Sequence, residues 1–149
     1  MTLWRFSRYT ELDGAGGLSG PARWHTAGHR VVYCAPNPAT ALLEVLVHEK
    51  IDFEDVPTKL QYLEIDAPDT LAIENLDANK LHGAWRTDLT LSRQAGDEWL
   101  QSTRTALLRV PCVIVPATWN VLINPLHPDI DRIRVLRVHS HGLDRRLLQ

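Results

Sequence analysis

Apolar and polar positions alternate from Leu3 to Tyr9, where Trp4 and Phe6 interleave with Arg5 and Ser7, the period of a half-buried strand. On that alternation Arg5 points away from Trp4. The glycine-rich stretch TELDGAGGLSGP then predicts a loop. It lacks GxGxxG spacing and a strand-to-helix setting, so it reads as a mobile connection or lid rather than a phosphate-binding turn. Arg30 to Ala35 predicts a buried strand. Asn37 and Pro38 supply an N-cap and a first-turn proline for a helix to about Lys50. Ala39, Ala41, Leu42, Leu43, Val45, Leu46 and Val47 cover most of its circumference, which predicts a largely buried helix. Its polar positions Thr40, Glu44 and His48 form one narrow stripe at four-residue spacing. That stripe is either a solvent-facing edge with a Glu44–His48 pair or a carboxylate aimed into a polar pocket.

Further along, Lys59 to Ala67 and Thr70 to Leu76 have strand-like alternation, with Pro68-Asp69 as the turn between them. Helices are expected over Ala78 to Trp85 and Leu91 to Thr105. The apolar run Leu107 to Val115 is interrupted by Pro111, which predicts an edge strand or a bulge. A short strand falls within ATWNVLINPLHPDI, and Ile133 to Val138 supplies the last one. Strands do not alternate regularly with helices and no repeat is visible. The expected class is therefore α+β, with a mixed, mainly antiparallel two-layer β core and flanking helices. A length of 149 residues fits one domain, 1–149, able to bury a core without disulfides or metals.

Composition narrows the functional classes. A formal charge of −2 gives no global field to hold a polynucleotide, so no direct nucleic-acid partner is expected. The five arginines between Arg132 and Arg146 are interleaved with acidic residues, and form a mixed surface. Cys34 and Cys112 each sit in an apolar run outside any CxxC pair, as buried thiols in a reducing compartment do. No signal-peptide pattern opens the chain and no apolar run reaches the roughly 20 residues of a membrane span, so the expected location is the cytoplasm, without membrane association.

GxSxG, Walker A and HExxH motifs are all missing, and the seven histidines are dispersed, with His139 and His141 on a strand near the end read as surface positions. No metal is indicated. What remains is a set of arginines, aromatics and one carboxylate. Arg5 and Arg23 can pair bidentately with a pyrophosphate. Tyr33 and Trp24 can stack on a planar ring or hydrogen-bond a ribose. Glu44 can stabilise the cation that develops when an N-glycosidic bond breaks. Each of these residues also has an ordinary structural use, as ion pair, core aromatic or helix edge.

Trp4-Arg5, GPARW (Gly20 to Trp24), AGHRVVY (Ala27 to Tyr33), ALLEVLVH (Ala41 to His48), GDEWLQS (Gly96 to Ser102) and VPCVIVPATWNVLINPLHPD (Val110 to Asp129) occur in this order over nearly the whole chain. Together they resemble the RES-domain family, the toxin half of RES–Xre toxin–antitoxin pairs. The resemblance implies a fold similar to ADP-ribosyltransferases, NAD as substrate, no metal, and a cognate Xre-type antitoxin. It also implies a chain that assembles with that antitoxin or with itself. On matching positions it gives Arg5 and Arg23 as NAD-contacting arginines, Tyr33 as the active-site tyrosine and Glu44 as the catalytic acid. Asn120, Asn124 and His127 become pocket or scaffold positions, and Ser102 a weaker candidate. The implied activity is cleavage of the nicotinamide–ribose bond by hydrolysis or phosphorolysis, with growth arrest by NAD depletion. Alternatives are ADP-ribosyl transfer to a protein, or a non-catalytic interaction module that keeps the pocket. This chain departs from the family pattern at His25, where asparagine is usual, and at Cys112, where serine is usual.

Overall fold

A computed structural model describes residues 1–48 and 60–148. Among the described residues, seven strands and three α-helices follow in the order β1 (Thr2–Ser7), α1 (Gly16–Ser19), β2 (Val32–Cys34), α2 (Pro38–His48), β3 (Gln61–Asp66), β4 (Ile73–Asn75), α3 (Leu89–Ser102), β5 (Leu107–Pro111), β6 (Trp119–Ile123) and β7 (Arg134–Ser140). Single 3-10 turns cover Ala78–Lys80, Pro128–Arg132 and Arg145–Leu148. The strands form two sheets, one ordered β1-β3-β7 and the other β2-β6-β5-β4. All pairings are antiparallel except β4 with β5. This is the α+β, mainly antiparallel two-sheet class that the patterning predicts.

Alternation along the strands assigns their two faces. Leu3, Leu63 and Ile65 of the first sheet meet Val32, Cys34, Leu107, Val121 and Ile123 of the second in one core. The intervening residues Leu108, Val110 and Leu122 face the opposite way, onto Trp99 and Leu100 of α3 with Trp24 and Trp85. A smaller cluster of Phe6, Ala35, Ala41 and Leu60 seats α2 against β1. The sheets are joined where the Trp4 N–H donates to Ala35 O at 2.9 Å and the Ala35 N–H to Trp4 O at 2.7 Å.

Several elements differ from the sequence reading. Thr70 to Leu76 does not return as a hairpin on β3: Pro68 does accept a turn bond from the Leu71 N–H, but the chain then crosses to the other sheet, where Ile73–Asn75 pairs parallel with β5. β5 is an interior strand, and Pro111 is tolerated because it closes the strand opposite Trp119, two residues beyond the last pairing with β4. The 78–85 helix is only a 3-10 turn over Ala78–Lys80. The glycine-rich stretch contains α1 and packs closely: a Cβ on Gly17 would lie 2.1 Å from His29 O. The predicted helix end at Lys50 and strand start at Lys59 lie outside the described residues.

The largest difference concerns α2. Its buried residues are Thr40 and Ala41, while Leu43 and Val47 are 39% and 58% exposed. Apolar content exceeded what the packing needs, and the helix turns Thr40 and Glu44 of its polar stripe inward while His48 stays exposed. The N-cap is as expected, with the Thr40 N–H donating to Asn37 Oδ1 at 2.9 Å. Asn37→Ala removes that bond and is expected to cost about 1 kcal/mol of stability, read as a lower urea midpoint with unchanged slope; an unchanged midpoint contradicts this role.

Candidate functional site

The inward turn of α2 opens a cavity of about 490 Å³ between α2, β1, β2 and the loops 21–24 and 111–114. Trp4, Arg5, Arg23, Tyr33, Glu44, His48 and Asn120 line it among others. Thr40, Glu44 and His48 are one stripe of the helix, so both readings of that stripe hold in part: Glu44 lines the cavity, and it also pairs with His48, Nε2 to Oε2 at 3.3 Å. Asn120 on β6 donates its amide to Glu44 Oε1 at 2.6 Å, and the Cys112 thiol donates to the same oxygen at 3.3 Å. Burial alone pushes this carboxyl up. The bonds from His48, Asn120 and Cys112 outweigh burial and leave Glu44 below the ordinary glutamate range, so it is ionised at neutral pH. Its bond to Glu44 holds His48 above the ordinary histidine value. Burial first, then the Glu44 contact, pushes the Cys112 thiol up, so it stays a neutral donor.

Arg5 and Arg23 stand on the cavity wall from β1 and from the loop before β2. Arg23 Nη1 is tethered to the carbonyls of Trp85 and Arg86 at 3.4 and 3.1 Å, and Arg5 Nη1 reaches Glu11 O at 3.5 Å. A guanidinium has five N–H donors, so one tethered nitrogen leaves others for a ligand. Tyr33 lines the cavity from β2, and burial pushes its phenol well up, so it is neutral. Its hydroxyl oxygen accepts from the Trp24 N–H at 3.1 Å and lies 2.8 Å from His25 Nδ1.

The other expected site residues either touch the cavity only at the edge of the aromatic core, as Trp24 does, or lie outside its lining. Trp24 touches the cavity, but it is 3% exposed and packs on Trp85 at 5.7 Å within the aromatic core, which leaves little ring face for a ligand. Asn124 does not line the cavity: its amide donates to Leu100 O at 3.0 Å and its carbonyl accepts from the Leu126 N–H at 3.0 Å, tying α3 to the end of β6. His127 caps the 3-10 turn Pro128–Arg132, accepting from the Asp129 N–H. Ser102 donates to Trp99 O at the end of α3. His139 pairs with Glu64 on an exposed part of the first sheet.

Sequence reasoning missed the grip of α3 on the loop that carries Arg23. Arg93 Nε donates to Ala22 O at 2.8 Å, Ser92 Oγ to Arg23 O at 2.7 Å, and Asp97 accepts from Thr26 N at 2.9 Å and Thr26 Oγ1 at 2.6 Å. Between them Gly96 lets the Trp24 carbonyl touch the helix, where a Cβ would sit 1.7 Å from that oxygen. The available signal was small residues at Ser92 and Gly96, four apart on one face of an amphipathic helix.

The fold and site thus define an α+β protein with a half-buried carboxylate and two arginines on one cavity. The chain belongs to the RES family: the RES domain profile matches residues 2–145. It is 44% identical over 147 residues to a protein named Toxin Res from Pseudomonas putida, covering 99% of both chains. It is 36% identical over 143 residues to a Sphingobium protein named Prs ADP-ribosylating toxin, covering 93% of this chain and 88% of that one. In structure it is similar to a chain of the M. tuberculosis MbcT-MbcA toxin-antitoxin complex, with a TM-score of 0.74 at 17% identity, over 99% of this chain and 86% of that one.

Two outcomes follow from this geometry. Gly96→Ala forces Trp24 and its loop off α3, and is expected to lower the melting temperature and weaken ligand binding at the cavity together; retention of both contradicts the clamp. The Glu44–His48 pair gives stability a pH signature. His48 is raised, so its contribution is full below the ordinary histidine value of about 6.5 and fades as pH rises through its higher folded value. Glu44 is lowered, so its contribution holds above the ordinary glutamate value of about 4.3 and is lost as pH falls through its folded value. The stability difference between wild type and His48→Ala, measured by urea unfolding, is expected to peak between those limits and shrink on either side. A difference independent of pH rules the pair out as its source.

Proposed function

We propose that this protein is the toxin of a toxin–antitoxin pair and that it cleaves the nicotinamide–ribose bond of NAD⁺ in the cytoplasm, arresting growth by depleting NAD. The observation that carries this reading is the Glu44 carboxylate, kept ionised by three side-chain donors on the wall of a cavity that also presents Arg5 and Arg23. A dinucleotide diphosphate is a bidentate acceptor and suits the two guanidiniums. As the C1′–N bond breaks, its electron pair goes to the nicotinamide ring, whose positive charge is neutralised, and the ribose is left cationic. Glu44 stabilises that cation electrostatically, and the low polarity around it strengthens the effect. Asn120 and Cys112 hold the carboxylate in place from behind. Water, inorganic phosphate or a protein nucleophile then captures C1′ and releases a proton.

Support for NAD as substrate also comes from the Sphingobium relative, whose name states ADP-ribosylation. That name favours a second reading, in which C1′ is captured by a side chain of a target protein. Support for a protein partner comes from the structural neighbour in its toxin-antitoxin complex. A cognate Xre-type antitoxin that occludes the cavity would keep the enzyme silent.

NAD⁺ labelled in the adenylate half separates these outcomes. Label recovered as free ADP-ribose indicates hydrolysis, as its 1″-phosphate phosphorolysis, and on a protein transfer. Glu44→Gln keeps the size of the side chain and removes its charge, and is expected to reduce kcat by roughly 10² or more, the scale of losing one preorganised electrostatic contact. A change confined to KM contradicts a transition-state role for Glu44.

A further inference from the structure

His25, on the loop between α1 and β2, is 3% exposed. Both ring nitrogens are engaged. Nε2 lies 3.0 Å from the carbonyl oxygen of Gly20, and Nδ1 lies 2.8 Å from the hydroxyl of Tyr33. A carbonyl only accepts, so Nε2 must carry hydrogen. In a neutral imidazole Nδ1 is then bare and must accept. The Tyr33 oxygen already accepts from the Trp24 N–H at 3.1 Å, so its own proton is free to turn to Nδ1. The bonds run in one direction: Trp24 N–H to Tyr33, Tyr33 O–H to His25, His25 Nε2–H to Gly20 O.

The charged and titratable groups acting on this imidazole come from several elements. Asp97 and Arg93 act from α3, His29 from the loop before β2, and Tyr33 from β2 itself. Burial lowers His25 more than the Gly20 carbonyl and Asp97 raise it, while His29 and Arg93 add to the lowering. The neutral ring is therefore the resting form at pH 7. Protonation would place a hydrogen on Nδ1, reverse its bond with Tyr33, and free the phenol proton from His25.

We propose that His25 is a positioning residue that withdraws the Tyr33 hydroxyl proton from the cavity, so that Tyr33 offers a ligand its ring and an acceptor lone pair but no donor. The assignment rests on the NAD reading for its ligand. On that reading Tyr33 selects a partner that can donate, such as a ribose hydroxyl or a carboxamide N–H, and is mismatched to an acceptor. The tyrosine acts on the ligand through an orientation that His25 sets.

Nitrogen-15 NMR of the histidine-labelled protein, followed through a pH titration, tests the assignment without any turnover. The expected result is an Nε2–H tautomer with a bare Nδ1, titrating below the ordinary histidine range, and rising in pKa in Tyr33→Phe, where the donor to Nδ1 is gone. An Nδ1–H tautomer, or a titration unmoved by Tyr33→Phe, overturns it. Kinetics supply the functional arm through Tyr33→Phe, His25→Leu and the double variant. Touching residues in one network couple, so removal of the phenol hydroxyl is expected to lower kcat/KM for NAD⁺ on the order of tenfold alone and little in the His25→Leu background. Equal costs in both backgrounds mean that the hydroxyl acts independently of His25, and overturn the proposal. His25→Gln replaces His25→Leu if the latter fails to fold. Wild-type protein that releases no nicotinamide contradicts the NAD reading, while the nitrogen spectra decide the direction of the Tyr33–His25 bond independently.

Discussion

A carboxylate with three side-chain donors, set into the wall of a cavity, is the feature on which the site depends. Taking Glu44 out of water costs free energy unless its oxygens are satisfied. Asn120 and Cys112 serve one oxygen and His48 the other. The donors come from β6, from the turn after β5 and from α2 itself, so the ionised carboxylate requires both the second sheet and the helix to be in register. Charge, fold and cavity are in this sense one arrangement. The site geometry also explains why α2 exposes Leu43 and Val47: a helix that directs Thr40 and Glu44 inward must leave part of its apolar surface outside.

The second constraint is the placement of the loop between α1 and β2. Its backbone carbonyls are held one after another by Arg93, Ser92 and the bare face of Gly96, and Asp97 fastens Thr26. Arg23 and His25 project from that loop, and Tyr33 from the strand that follows it. A helix with no residue among those lining the cavity thus fixes the loop that brings Arg23 to the wall. Close approach of backbone to helix is what requires glycine at 96, and no larger residue meets that need.

Much of this was legible in the sequence, and the exceptions have a common cause. Alternation found β1, β3 and β4, and short apolar runs found β2 and β5, because these strands lay one or both faces against apolar layers. The Asn37-Pro38 start of α2 was legible because capping is local. Local patterning does not say which strand pairs with which, so the crossing of β4 to the second sheet and the interior place of β5 were not visible. Nor does it say which face of a nearly all-apolar helix is buried: Thr40, Glu44 and His48 were recognised as a stripe, but its direction depends on Asn120 and Cys112, some seventy residues away. Arg5, Arg23, Tyr33, Glu44 and Asn120 are brought to one cavity, whereas Asn124 serves the scaffold and the Trp24 ring the aromatic core. His25 stood out in the sequence only as a departure from pattern, since its bond to Tyr33 is a tertiary contact.

Site-resolved carbon-13 NMR of the glutamate carboxyls through an acid titration tests the central claim most directly, because it reads the charge state of Glu44 in the intact protein. The account predicts that Glu44 titrates below the ordinary glutamate range in wild type and moves upward in Asn120→Ala, where the shortest donor is lost. A carboxyl that titrates above that range in wild type, as an unsupported buried acid does, would mean that the cavity does not hold an anion at neutral pH and would contradict the account at its root.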